Sequence, residues 1–167
     1  RRGFLVDGTA LAAFGEDMAE KIKELEQRIY EAAGEKFNIN SPKQLGTVLF
    51  EKMKLPHGKK TKTGWSTNAD VLEKLRWQAP IVADILQYRQ YAKLKSTYAD
   101  GLLKVIDPDG RIRTSFQMTV TATGRLSSTE PNLQNIPART EVGSRSRGMF
   151  VAAPGHVLVD ADYSQVE

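Results

Sequence analysis

Asp107-Pro108-Asp109-Gly110-Arg111-Ile112-Arg113-Thr114-Ser115-Phe116-Gln117-Met118-Thr119-Val120 is the stretch at which the chain changes period. Its first four residues are a turn sequence, because proline presets φ, aspartate bonds its own backbone and glycine tolerates positive φ. Ile112, Thr114, Phe116, Met118 and Val120 then alternate with Arg111, Arg113, Ser115, Gln117 and Thr119. Successive side chains on a strand point to opposite faces, so this spacing predicts a strand with one wet face. Upstream, apolar residues recur every three or four positions. The expected fold class is therefore α+β, helical first and β-rich after residue 104.

Working back from that stretch, Leu11, Phe14, Met18, Ile22, Leu25 and Ile29 form one helical stripe. Thr9 is its expected N-cap and Gly34 its expected C-cap, with Asp17–Lys21 and Glu24–Arg28 as supporting pairs. The stripe reads as ordinary packing, with a dimer seam as the alternative. Ser41-Pro42-Lys43-Gln44 opens a second helix: Ser41 caps it, Pro42 takes the first position and Gln44 completes a capping box. Leu45, Val48, Leu49 and Met53 are its inner face, and Leu55-Pro56 stops it. His57-Gly58-Lys59-Lys60-Thr61-Lys62-Thr63-Gly64 is a basic loop with no apolar residue. Thr67 is expected to cap a short helix through Leu75, with Asp70 in its first turn. Pro80 opens a long helix to about Leu103, with Ile81, Ile85, Tyr88, Leu94, Tyr98 and Leu102 near one side.

Working forward, residues 121–147 carry few helix or strand signals and contain Gly124, Pro131 and Pro137. Long irregular segments in compact proteins are usually functional or disordered. Met149-Phe150-Val151 and His156-Val157-Leu158-Val159 read as two strands joined by a Pro154-Gly155 turn. The run Asp160-Ala161-Asp162-Tyr163-Ser164 after the second strand predicts a helix beyond Glu167, so a fragment of a longer protein is expected.

Composition narrows the function. The 167 residues contain no cysteine and two histidines, which removes disulfide scaffolds, thiol catalysis and a Cys or His metal cluster. No apolar run approaches the roughly 20 residues of a membrane span, and the first residues do not read as a signal peptide. A soluble, cytoplasmic protein is expected. The formal net charge is +4, unevenly spread. Residues 11–36 hold seven acids and four bases. Residues 43–65 hold six lysines against Glu51, and residues 111–150 six arginines against Glu130 and Glu141. Two basic blocks suit a polyanionic partner, with a solvated lysine face as the plainer explanation.

Three constellations bear chemistry. Asp160 and Asp162 stand two apart at a strand end, where both carboxylates face one hard cation such as magnesium, or else cap the next helix. Thr119 to Ser128 brings five hydroxyls, Gly124 and Arg125, followed by the amides of Asn132, Gln134 and Asn135. These donors suit phosphates and minor-groove acceptors, or an ordinary hydrogen-bonded surface loop. Lys59, Lys60 and Lys62 suit phosphate contacts that read no sequence. There is no Walker loop, no Gly-x-Gly-x-x-Gly and no nucleophile elbow.

Thr121-Ala122-Thr123-Gly124-Arg125-Leu126-Ser127-Ser128, Pro131-Asn132-Leu133-Gln134-Asn135-Ile136-Pro137 and Asp162-Tyr163-Ser164-Gln165-Val166-Glu167 together resemble the bacterial family A DNA polymerases. Asn38-Ile39-Asn40-Ser41-Pro42-Lys43-Gln44-Leu45 and Leu94-Lys95-Ser96-Thr97-Tyr98 resemble the family's thumb. The resemblance covers essentially the whole chain. It implies a helical thumb at residues 10–103 with a basic tip loop at 57–64. It also implies the opening, antiparallel β part of a palm at 104–167, with residues 1–9 as an N-terminal segment associated with it. It further implies DNA-directed synthesis in replication and repair, by nucleotidyl transfer from a dNTP to a primer 3′-hydroxyl.

The roles it implies are specific. Asp162 matches the palm aspartate that holds two Mg2+ ions, with the Tyr163 carbonyl as a further ligand. Glu167 matches the glutamate that crowds out a 2′-hydroxyl. Arg125 matches an arginine in the minor groove at the primer end. Asn132, Gln134, Asn135 and Arg139 match residues along the primer–template path. Arg89, Lys93 and Lys95 match the thumb base, and Lys59, Lys60 and Lys62 the tip over the product duplex. Met118, where relatives carry a polar residue, and Val166, for isoleucine, depart from the pattern. The fingers residues and the second palm aspartate fall beyond Glu167, so one metal aspartate alone is expected to leave the fragment inactive. The expected partners are primer–template DNA and, in the intact enzyme, dNTP. No membrane or obligate protein partner is expected, and the location is the bacterial cytoplasm at the nucleoid. The rival readings are a non-catalytic, sequence-independent DNA-binding module and a magnesium-dependent sugar-nucleotide transferase.

Overall fold

The computed structural model describes residues 2–57, 60–61, 64–136, 141–161 and 163. The chain divides into two compact units, residues 16–95 and residues 1–15 with 96–167. The boundaries that the resemblance implies, near 10 and 103, lie within about eight residues of this division.

The first unit is helical. Helix α1 (Gly8–Ala33) begins in the other unit and supplies the long stripe. Leu11, Phe14, Met18, Leu25 and Ile29 are buried, because spacings of three and four keep them on one side. The cap is Asp7 rather than Thr9: its Oδ1 accepts from Ala10 N at 2.9 Å, which starts the helix two residues earlier than expected. Gly34 ends it at φ +73°, a conformation open to glycine without steric cost. Helix α2 (Pro42–Gly46) starts as its sequence dictates, with Ser41 Oγ accepting from Gln44 N. The Gln44 side chain closes the box differently from expectation, accepting from Asn38 N at 2.8 Å. A π-helical turn (Thr47–Lys52) continues it.

Strands β2 (Lys60–Thr61) and β3 (Gly64–Trp65) pair antiparallel at the basic loop. Helix α3 (Ala69–Leu75) is capped by Asn68, whose Oδ1 takes Val71 N at 3.0 Å. Thr67, the expected cap, is buried, and its oxygens are committed to Arg89. Helix α4 (Pro80–Leu94) runs into a π turn (Lys95–Asp100) and the short helix α5 (Gly101–Leu103). The expected continuous helix is thus one helical run whose hydrogen-bond pattern shifts partway. Ile29, Leu45, Leu49, Leu72, Val82 and Ile85 form the centre of one core in this unit. Arg28 reaches the mostly buried Asp84 carboxylate at 2.6 Å.

The second unit carries the other five strands, and their pairing is all antiparallel. Strand β1 (Phe4–Val6) lies between β4 (Arg111–Ile112) and β7 (Phe150–Val151). Gly3 is required beside β4: at φ +70°, a Cβ there would sit 2.7 Å from the Ile112 carbonyl oxygen. The 107–110 turn forms as expected, with Gly110 N on Asp107 O at 2.8 Å, and Arg113 forks onto Asp107 and Asp109 at 2.5 Å each. Strand β5 (Ser115–Gln117) pairs with β6 (Ser127–Thr129), and α6 (Glu141–Arg147) follows. The segment expected to be irregular therefore contains a strand and a helix.

Two strand expectations fail in instructive ways. The single strand at 111–120 breaks after Ile112, because β4 pairs with β1 whereas β5 pairs with β6. Its apolar face is buried only at Ile112 and Thr114, while Phe116, Met118 and Val120 are 56%, 74% and 68% exposed. A ribbon of two short strands gives them no second layer to pack on. The expected strand at 156–159 is not formed, and Val157, Leu158 and Val159 are exposed. A strand needs a ladder partner, and among the described residues no pairing with this segment occurs.

Candidate nucleic-acid interface

The polar residues implicated by the sequence fall into a group in each unit. In the β unit, they stand on the loops flanking β6. Gly124 turns at φ +74° with its N–H on Thr121 O at 3.2 Å, and the Thr121 hydroxyl donates to the Arg125 carbonyl. That sets Arg125 at the exposed tip between β5 and β6.

Beyond β6 the chain is braced by a hydroxyl relay. Leu133 N–H donates to Ser128 Oγ at 3.1 Å. Ser128 Oγ lies 2.6 Å from Thr114 Oγ1, which lies 2.8 Å from the Pro131 carbonyl oxygen. The Thr129 carbonyl oxygen, 3.0 Å from Thr114 Oγ1, and the Pro131 carbonyl oxygen, also 3.3 Å from Ser128 Oγ, complete a network in which either hydroxyl can donate to the other. Ser128 and Thr114 are both buried, so the relay satisfies groups that would otherwise be costly to desolvate. The Glu130–Pro131 bond is cis.

Gln134 acts as a strut here. Its Oε1 accepts from Ser128 N at 3.0 Å, and its Nε2 donates to the Leu126 carbonyl at 2.8 Å. Asn132 Oδ1 takes Gln134 N at 2.9 Å. The Tyr98 hydroxyl donates to the Asn135 carbonyl, and burial pushes Tyr98 above the usual phenol range. Arg125, Asn132 and Asn135 are exposed around this braced loop. The Gln134 amide, expected on the DNA path, is already spent on the protein's own backbone.

In the helical unit, Lys60 sits on β2 with its Nζ 5.1 Å from the Trp65 ring centroid and 3.6 Å from Glu51. Trp65 Nε1 donates to the same Glu51 at 3.1 Å, and its ring lies against His57 and Phe50. Lys93 is exposed near the end of α4 and Lys95 opens the π turn. Arg89 is half-buried: its guanidinium donates to the Thr67 carbonyl and hydroxyl, and burial pulls it below its ordinary value. Its role here is to tie α4 to the start of α3, which the sequence pattern did not show. Composition also did not reveal the Ser128–Thr114 pair. A threonine at an inward position of the alternating 112–120 pattern, at 114, is the signal that a buried polar partner is needed.

Lys59, Lys62, Arg139, Asp162 and Glu167 lie outside the described residues. Tyr163 is described, with an exposed ring, and Asp160 is exposed. Among the described residues no group of three or more acids or histidines could hold a metal ion, so these residues alone do not make a magnesium site. Nor is any helix among them long and apolar enough to cross a membrane.

The braced loop and the cationic helix ends can be set beside known proteins. Residues 8–167 match the model for DNA polymerase family A. DNA polymerase I of Bacillus subtilis is 58% identical over 167 residues, which is 99% of this chain and 19% of that protein. DNA polymerase I of Caldicellulosiruptor bescii is 55% identical over 168 residues, 100% of this chain and 20% of that protein. The chain thus spans about a fifth of the length of the curated relatives it matches. Among solved structures, the POL domain of Pol1 from M. smegmatis, in complex with DNA primer-template and dNTP, aligns with a TM-score of 0.86 at 45% identity. That alignment covers 93% of this chain and 28% of the M. smegmatis chain. With the family model matched from residue 8 to residue 167, this chain belongs to DNA polymerase family A.

Proposed function

We propose that this chain is the part of a DNA-directed DNA polymerase that grips primer–template duplex, its helical unit serving as thumb and its β unit as the opening of the palm. The observation that carries this reading is the likeness, at a TM-score of 0.86, to a polymerase held with primer-template and dNTP. The physical logic agrees. A polymerase must hold any sequence, so it uses cations on phosphates and amides on the acceptors common to minor-groove edges. Arg125, Asn132 and Asn135 around the braced loop supply the second kind of contact, and Lys60, Lys93 and Lys95 the first. Gln134 contributes by holding the loop in shape. Arg139, Lys59 and Lys62 are assigned to the same path, Arg89 to the thumb base and Glu167 to rejection of the 2′-hydroxyl.

Asp162 and the Tyr163 carbonyl are proposed as the contribution to a magnesium site in the intact enzyme. When bound there, such ions lower the pKa of the attacking hydroxyl and balance charge on the leaving pyrophosphate. The intact polymerase would serve DNA replication and repair in a bacterial cytoplasm.

Binding of the 167-residue chain to a labelled primer–template across a salt series tests the grip. Log affinity should fall linearly with log salt, and Lys60→Ala should flatten the slope by about 0.9. Salt-independent binding would overturn the reading. The catalytic assignment has its own test: in a full-length polymerase carrying this segment, Asp162→Asn should abolish nucleotide incorporation while duplex affinity stays. Primer extension by the chain alone should be absent.

A further inference from the structure

Trp77 lies in the turn between α3 and α4, and its ring is 91% exposed. Tryptophan is highly buried on average, so an indole almost wholly in water is the largest unexplained apolar group on this unit. Its neighbour Arg76 holds a guanidinium carbon 5.8 Å from the ring centroid. Glu73 pairs with that guanidinium, with its Oε2 3.4 Å from Arg76 Nη1. Arg76 also lines a groove between α3 and α4. Ala83, Gln90 and Lys93 line the same groove, at spacings that keep them on one face of α4. Cations outnumber carboxylates along it, and Gln90 brings an amide with both a donor and an acceptor.

We infer that Trp77 and Arg76 form a stacking platform for an unpaired nucleobase, with the adjoining α3–α4 groove taking the phosphates of a single-stranded nucleic acid. An unpaired base offers a free π-face to the indole, whereas a base inside a duplex has both faces covered by its neighbours. The groove's positive balance favours a polyanion over an apolar protein segment. The choice of nucleic acid rests on the proposed polymerase reading. Lys93 of the groove is shared with the duplex grip, but the ligand and the two platform residues are not, so variants at Trp77 and Arg76 let the two readings fail separately.

The chain has two tryptophans, which makes Trp77 readable by fluorescence. In a Trp65→Phe variant Trp77 is the sole indole, and titration with an eight-nucleotide oligothymidylate should quench its emission. Trp77→Ala should weaken binding of that oligomer by about 10-fold, Trp77→Phe by less, and Arg76→Ala should steepen the loss. An abasic eight-nucleotide strand should bind several-fold more weakly than the thymidylate. If Trp65→Phe disturbs the fold, the difference in emission between the unaltered chain and Trp77→Phe reports the same site. Unquenched emission at saturating oligomer, equal affinity for the abasic strand, or an emission shift that follows protein concentration without DNA would each overturn the inference. The last outcome would assign the ring to self-association. If the thymidylate binds as expected while primer–template duplex does not, the platform stands and the duplex grip fails.

Discussion

Replacing Ser128 with alanine tests whether the hydroxyl relay holds the loop. The substitution removes the Leu133 N–H to Ser128 Oγ bond at 3.1 Å and the 2.6 Å contact with Thr114 Oγ1. Stranding a partly buried donor costs about 1–3 kcal/mol, and the second bond about 1 more. The β unit should therefore lose about 2–4 kcal/mol. Thr114→Val breaks the same Ser128–Thr114 contact from its other side, so the double variant should fall short of the sum of the singles by about 1 kcal/mol. The assay is amide hydrogen exchange by NMR, read at Leu133 with β1 amides as an internal reference. A loss of about 2 kcal/mol at that site is a roughly 30-fold faster exchange. Duplex affinity should fall with it, since Arg125, Asn132 and Asn135 lose the frame that orders them. Unchanged exchange at Leu133 in Ser128→Ala, or strictly additive single variants, would refute the relay.

Other outcomes follow from the helical unit. Leu49 is fully buried in its core, so Leu49→Ala should cost about 2–5 kcal/mol in urea denaturation. Arg28→Ala should cost about 1–3 kcal/mol by leaving the buried Asp84 carboxylate without its guanidinium, and adding Asp84→Asn should recover part of that loss. Burial, reinforced by its bond to Glu26 at 2.8 Å, pushes the Tyr30 hydroxyl up to about 12. The folded state therefore keeps a proton that the unfolded chain releases near pH 10, so this contribution is intact below pH 10 and is lost as pH rises toward 12. Denaturation across that window should show the decline in the parent and less of it in Tyr30→Phe, and ultraviolet titration of the parent should show a late-ionising phenol that Tyr30→Phe removes.

The helical half was legible because one period carries it. The stripes from Leu11 to Ile29 and from Ile81 to Leu102 are buried at nearly every position the spacing named. Helix starts were less legible, and the reason is local. Asp7, Thr9, Thr67 and Asn68 are all chemically able to cap, and backbone geometry chose Asp7 and Asn68. The β half was harder, since alternation shows which residues share a face without showing what covers it. Phe116, Met118 and Val120 alternate as well as Ile112 does, yet only Ile112 meets a second layer. For the candidate interface, the residue types and their order were readable, and the family resemblance rested on them. The division of labour among them was not, because Gln134 and Asn132 are neighbours in sequence with different fates in space.

The amino-acid order by itself determined the α+β class, the turn at 107–110, the helical stripes and membership of a polymerase family. Each depends on neighbours within a few residues or on motifs written contiguously. Only the tertiary structure decided that Ser128 and Thr114 close a relay across 14 positions, that Arg89 is tied to Thr67, and that Trp77 is left in water. Those outcomes depend on which side chains meet after the chain has folded back on itself, and a buried donor donates to whatever oxygen the fold brings within reach.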